Sequence, residues 1–270
     1  MTEDANRRQQ RPKVRDHVQQ RFGDVAANYR TSRVHASGQD LDLMADAVAL
    51  NANMQVLDAG CGAGHTSLAF APRVAQVIAC DFTGAMLRQA RALARERGID
   101  NIETKLADVE NLPFPARSFD LVVTRYSAHH WQRPERALAE FRRVLGHEGV
   151  FLISDIMAGE DYAQDTFLQT IELLRDPSHV RDYRISEWRA MLSAAGYCSE
   201  VLLRFDLRLY FDTWTRRMAT PRQNANMILS LFSGAPAEIR SSFSLREDAA
   251  AGELSFTIPG AVIRGTVKRD

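Results

Sequence analysis

A glycine turn behind an acidic residue constrains this chain more than any other feature. The stretch Val56-Leu57-Asp58-Ala59-Gly60-Cys61-Gly62-Ala63-Gly64 joins a short apolar run to a helix that begins at His65. The apolar run reads as a buried strand. A strand–glycine loop–helix unit turns backbone N–H groups and a helix N-terminus toward a ligand, and glycine permits positive φ and close approach there. The dinucleotide fingerprint G-x-G-x-x-G needs a glycine where this chain has His65, and Gly64 comes one place early. Asp58 at the strand end would repel a pyrophosphate. It suits a ligand that carries an ammonium group.

The pattern of a strand ending in an acid then repeats. Gln76 to Asp81 is a second strand, and Asp81 lies 21 residues after Gly60, where a carboxylate can accept from both hydroxyls of a ribose. Glu103 to Ala107 is a third, followed by Asp108 and Val109. Phe119 to Thr124 is an apolar run suited to a parallel strand buried on both faces. Gly149 to Asp155 is a fifth strand, again ending in an acid. Helical stretches alternate with these strands; one begins at Pro134, which fits a first helical position. The fold expected is α/β, a doubly wound parallel sheet with ligands beyond the carboxyl ends of its strands.

With VLDAGCGAG, the acid-ended strands and the segment ADVENLPFPARSFDLVVTRY, the chain resembles the class I S-adenosylmethionine (SAM)-dependent methyltransferases. The segments RYSAHHW and LLRDPSHVRDYRISEW are most similar to the group near the ubiquinone/menaquinone C-methyltransferases. The resemblance implies a seven-stranded Rossmann-like sheet and SAM as cofactor. It implies that Asp58, Ala59, Gly60, Cys61, Gly62 and Gly64 receive the methionine part, whose carboxylate can meet the loop amides. Asp81 and the following Phe82 would hold the ribose, and Ala107, Asp108 and Val109 the adenine, with Asp108 accepting from its amino group. Arg125 would border the pocket at the end of the fourth strand. Met86 either packs on the adenine or belongs to the core. Tyr29, in an A-x-x-Y context within a segment that covers the cofactor, either lines the pocket or anchors the core.

Methyl transfer from a sulfonium is an in-line displacement, so positioning supplies much of the rate. A weakly acidic acceptor also needs a base. The candidates are His129, His130 and Asp155, brought close at the ends of neighbouring strands. An imidazole takes the proton and a carboxylate orients it. In an extended segment His129 and His130 would point opposite ways, leaving one functional and one structural.

Beyond Asp155 the chain leaves the common core. The expected organisation is an N-terminal arm over residues 1–21, polar through 13 and helical from Val14; a methyltransferase core over 22–206 with a helical cover at 161–195; a helical insertion over 207–246; and terminal strands over 247–270, with Pro259-Gly260 separating two of them. The two helical segments are expected to roof an apolar acceptor pocket with Phe167, Leu168, Trp188, Trp214, Met218, Met227 and Phe232.

Composition excludes several alternatives. Net charge is +0 over 270 residues, which argues against a polyanion-binding surface and hence a nucleic-acid partner. Arg7, Arg8, Arg11, Lys13 and Arg15 read as a solvated tail. Cys61, Cys80 and Cys198 give neither a disulfide framework nor metal-ligand spacing, so no metal is expected and a reducing cytoplasm is. No membrane span or signal peptide is visible. The reading that results is a SAM-dependent methyltransferase acting on an oxygen or activated carbon of a small, apolar or aromatic metabolite. An RNA or protein methyltransferase and a non-catalytic SAM-binding module are the alternatives. The sequence does not give the oligomeric state.

Overall fold

The computed structural model describes residues 14–248 and 253–268. The polar stretch 1–13 lies outside the described residues. From Val14 the chain runs α1 (Val14–Arg30), α2 (Arg33–Ala36), α3 (Gln39–Asp46), β1 (Gln55–Ala59), α4 (His65–Phe70), β2 (Gln76–Asp81), α5 (Gly84–Glu96), β3 (Ile102–Leu106) and β4 (Phe119–Arg125). It continues with α6 (Pro134–Val144), β5 (Leu145–Ile156), α7 (Tyr162–Arg175), α8 (Ile185–Ala194), β6 (Tyr197–Tyr210), α9 (Phe211–Arg217), α10 (Arg222–Ser233), α11 (Ala237–Ser242), β7 (Arg246–Asp248) and β8 (Glu253–Val267).

The strands form one sheet in the order β3-β2-β1-β4-β5-β8-β6. Strands β1 to β5 are parallel, and β8 runs antiparallel between β5 and β6. This is the expected seven-stranded arrangement, with the three-residue β7 added as an eighth strand against β8. The pleat of β4 explains its apolar run. Val122 points into a core with Phe141, Phe151 and Trp188. Its neighbours Leu121 and Val123 enter the opposite core with Met44, Phe70 and Val77. The edge strand β3 is different: its Glu103 and Lys105 fall between Ile102, Thr104 and Leu106, a charged edge that discourages further pairing.

Several expected boundaries move. The break at residue 21 falls inside α1, so the helix expected from Val14 runs unbroken through Arg30 and belongs with the core. The break at 206 falls inside β6, and the helical insertion is α9 to α11. Segment 161–195 divides: α7 joins the cover, while Trp188 and Leu192 of α8 pack with Phe141 on the face of the sheet. Pro259-Gly260 is no turn; β8 runs straight through it. Gly260 is required because a Cβ there would lie 2.4 Å from Cζ of Phe205, whose ring crosses the strand. Pro259 lacks a donor, but its pairing with β5 has ended there. Ile156 is the last β5 partner, opposite Gly260, and Met157 N–H donates to the Pro259 carbonyl at 2.9 Å.

The cover has its own core, in which Leu168, Ile171, Trp214, Phe232, Phe256 and Ile258 meet. Most of the residues expected to shape an acceptor pocket are used this way. Met227 is exposed instead, and Met218 receives the Tyr29 hydroxyl on its sulfur at 3.0 Å. Helix α1 is clasped to this cover: Arg21 donates to the Met218 carbonyl and Asn28 to that of Arg217. Among the described residues no helix is long and apolar enough to cross a membrane.

Candidate active site

The carboxyl ends of β1, β2 and β4, the turn after β3 and the inner face of α1 enclose a cavity of about 480 Å³. Its floor is the glycine loop. Gly60, Gly62 and Gly64 all take positive φ, at 74°, 51° and 89°. A Cβ on Gly60 would lie 2.0 Å from Ser127 Oγ, so the loop can lie against the end of β4 only as glycine. Gly60, Cys61, Gly62, Ala63, His65 and Thr66 line this side. The amides of Gly60 and Cys61 both donate to the Cys80 carbonyl, that of Gly62 to Asp81 and that of Gly64 to the Cys61 carbonyl. These four amides are bonded within the protein.

Asp58 sits differently from expectation. It is fully buried beneath the loop, does not line the cavity, and accepts from the Ser67 hydroxyl at 2.6 Å while its Oδ1 has no partner. Burial pushes its carboxyl up to about 7 against the opposing bonds from Ser67. Its place is to fix the loop onto α4. Ala59, Gly64 and Ala107 likewise stand behind the lining.

Asp81 does face the cavity. It accepts from Gly62 N–H at 3.0 Å and Thr83 N–H at 2.7 Å, one on each oxygen, which leaves acceptor capacity on both. Burial raises it to about 6. Phe82, Met86, Asp108 and Val109 line the same end. Tyr29 and Phe22 of α1 close the roof, with rings 5.5 Å apart. Arg125 reaches the wall, but its guanidinium is committed: it donates to Asp40 at 2.6 and 3.1 Å and to the carbonyls of His35 and Val34. It pins α2 and α3 over the site. Tyr126 follows in the left-handed region at φ 51°, an unfavourable backbone for a non-glycine residue that turns the chain sharply off β4.

That turn leads to the histidine pair. Residues Ala128–His130 form a 3-10 turn, not an extended segment, so the expected alternation fails. The two imidazoles lie side by side with centroids 4.3 Å apart. Asp155 organises the turn. One of its oxygens accepts from Ser127 and Ala128 N–H at 3.2 and 2.8 Å. The other accepts from Ile156 N–H at 2.8 Å and from His129 Nδ1 at 2.7 Å. Burial alone would lower the His129 pKa, but the adjacent Asp155 carboxylate raises it to about 9. His130 behaves oppositely. Burial and the neighbouring His129 charge lower it to about 4. Its Nδ1–H donates to the Ser178 carbonyl at 3.1 Å, which leaves Nε2 as the lone-pair nitrogen. His130 lines the large cavity; His129 lines a smaller one beside it, and the two cavities share Tyr29, His35 and Tyr126.

The segment 176–183 holds this pair from behind. Val180 and Arg181 N–H both donate to the His129 carbonyl, at 2.9 and 3.1 Å. The segment LLRDPSHVRDYRISEW entered the sequence reading through its family resemblance, although its density of titratable residues through Asp182 is itself a signal. Asp182, like Asp155, brings a carboxylate oxygen within 4.8 Å of a His129 nitrogen, a grouping able in principle to ligate a metal. The Asp155 oxygens, however, are already filled by backbone donors and His129.

The cavity volume lies in the range of cofactor sites, and its glycine floor, carboxylate end and apolar roof fit SAM. The chain belongs to the SAM-dependent methyltransferase family. The methyltransferase domain model matches residues 57–153. The methyltransferase YcgJ of Bacillus subtilis is 38% identical over 248 residues, 92% of this chain and 98% of that protein. Its crystal structure superposes with a TM-score of 0.82, covering 86% of this chain and 99% of that one. The crystal structure of a Bacillus halodurans C-125 protein assigned as a methyltransferase gives 0.81 at 32% identity, over 86% of this chain and all of its own. A demethylmenaquinone methyltransferase of Clavibacter sepedonicus is 36% identical over half of this chain and 56% of its own length.

Proposed function

We propose that this enzyme methylates an oxygen or an activated carbon of a small, apolar or aromatic acceptor, with the His129–Asp155 pair as the proton-accepting site. When bound, SAM supplies an electrophilic methyl on a sulfonium. Asp81 holds the ribose hydroxyls, Asp108 takes the adenine amine, and Met86 packs against the ring. Tyr29 and Phe22 exclude water from above. Arg125 keeps α2 and α3 closed on the site through Asp40.

The observation that carries the assignment of the base is the 2.7 Å contact between His129 Nδ1 and Asp155. It fixes the ring, leaves Nε2 for the acceptor, and makes the imidazole basic enough to keep a proton from a phenol or enol. His130 is too weak a base to do so, and its neutral ring, edge-on to Phe22 at 4.7 Å, shapes the wall. Demethylmenaquinone, named as the substrate class of the Clavibacter relative, supports a small-molecule acceptor.

The test is a methyl-transfer screen over phenols, quinols and enolisable ketones, followed by pH profiles. Turnover should rise with pH toward about 9 and level there. His129→Gln should cost about 10²–10⁴-fold in kcat with unchanged S-adenosylhomocysteine (SAH) affinity. A profile flat from pH 6 to 10, or a larger loss in His130→Gln, would overturn the assignment.

A further inference from the structure

We propose that Arg217, in the small cavity between α7, α9 and the end of β4, binds a carboxylate carried by the methyl acceptor. The inference rests on the acceptor lying beside His129, as read above. This cavity, of about 40 Å³, is bordered by Tyr29, Tyr126 and Trp214, by His35, which burial holds well below its ordinary pKa, and by three further basic side chains: His129, Arg175 and Arg217.

Two of the three are already satisfied. His129 is paired with Asp155. Arg175 donates to Glu172 at 3.0 Å and to the Trp214 carbonyl at 3.2 Å, with its guanidinium 5.0 Å from the Trp214 ring centroid. Arg217 differs. Among the described residues it has no ion pair and no side-chain hydrogen bond, and its Nε is shut off from solvent without a partner. Its backbone is held in place by Asn28, so the side chain is delivered to the cavity from a fixed point.

The remaining acids do not neutralise it. Glu172 serves Arg175, and Asp182, whose carboxyl burial pushes well above the usual carboxylate range, forms no ion pair with Arg217. One guanidinium charge is left over in a confined, aromatic-walled space. Removing such a charge from water without a counter-charge is costly, so the site is built for an anion that arrives with the ligand. A planar guanidinium matches a carboxylate through two parallel hydrogen bonds. A void of this size admits a head group about as large as one or two waters, which favours a carboxylate over a diphosphate. The cavity is lined by both Arg217 and His129 and shares Tyr29, His35 and Tyr126 with the cofactor cavity, so an acceptor bound there would lie beside both the arginine and the base.

The experiment follows the arginine Nε–H resonances of the ¹⁵N-labelled, SAH-saturated protein during titration with benzoate, its neutral isostere benzamide, and phenyl phosphate. The Arg217 signal is identified by its loss in Arg217→Lys. Benzoate should shift it saturably, and benzamide should bind at least tenfold more weakly. Arg217→Gln should erase that preference and leave SAH affinity within twofold. An Arg217 signal indifferent to benzoate, or a response to phenyl phosphate alone, overturns the carboxylate site. Equal binding of benzoate and benzamide, seen at the Trp214 indole, also overturns it while leaving the acceptor pocket beside His129 intact.

Discussion

Asp155→Asn tests the heart of the site, because one carboxylate both charges His129 and winds the turn that carries it. His129 has its pKa raised from 6.5 to about 9 in the folded protein. That difference of about 2.5 units corresponds to roughly 3 kcal/mol favouring the folded state when the imidazole is charged. The sign follows from the direction of the shift. A folded pKa above the unfolded one stabilises fully below about 6.5 and ceases to stabilise as pH rises through about 9. An asparagine would remove the charge and turn an NH₂ group toward either the Ser127 and Ala128 amides or the His129 and Ile156 donors. Burial would then hold His129 below its ordinary pKa. The variant should therefore lose about 3 kcal/mol or more at pH 6, and distinctly less near pH 10. Urea denaturation at the two pH values measures this, and the His129 ring resonance gives the pKa directly. A wild-type His129 that titrates at or below 6.5, or a stability loss independent of pH, would refute the reasoning.

Asp81→Asn should weaken SAH binding by roughly 1.5–3 kcal/mol by isothermal titration. Since burial raises Asp81 to about 6 and ribose donors favour its ionised form, wild-type affinity should fall as pH drops below about 6. Gly60→Ala should cost about 1–2 kcal/mol for its left-handed backbone, plus the collision with Ser127. Adding Ser127→Gly should recover the second part in thermal unfolding, and no recovery would mean that the loop relaxes some other way. Asp40→Asn leaves Arg125 buried without its counter-charge and should destabilise by about 3–5 kcal/mol in denaturant; a loss under about 1 kcal/mol would show that the ion pair does not hold α2 and α3.

The parallel strands and their acidic ends were legible because both signals are local. An apolar run of strand length says buried strand, and the next acid falls where ligands bind. The partners of those acids were less legible. Asp81 and Asp58 end neighbouring strands in the same way, yet Ser67 draws Asp58 under the loop while Asp81 remains in the cavity. Arg125 looked like a cofactor residue because its partner Asp40 is 85 positions away. The histidine alternation failed for a similar reason. Asp155 collects the Ser127 and Ala128 amides, and that long-range bond replaces strand geometry with a 3-10 turn. Arg217 gave no signal at all, since an arginine near a helix end ordinarily reads as solvated.

The position of β8 has a consequence for how the molecule is made. Every strand it joins precedes it in the chain, and it supplies Ile263, Val262 and Phe256 to three separate apolar clusters. Until it emerges from the ribosome, β5 and β6 each present an unpaired edge, and the cover lacks the side chains that seat it on the sheet. The pairing of β8 with β7 is local, whereas its pairing with β5 closes a long loop, whose entropic cost comes before that pairing compensates. A nascent chain halted before β8 would hold a nearly complete cofactor loop beside two adhesive strand edges, and in that interval it would depend most on chaperones.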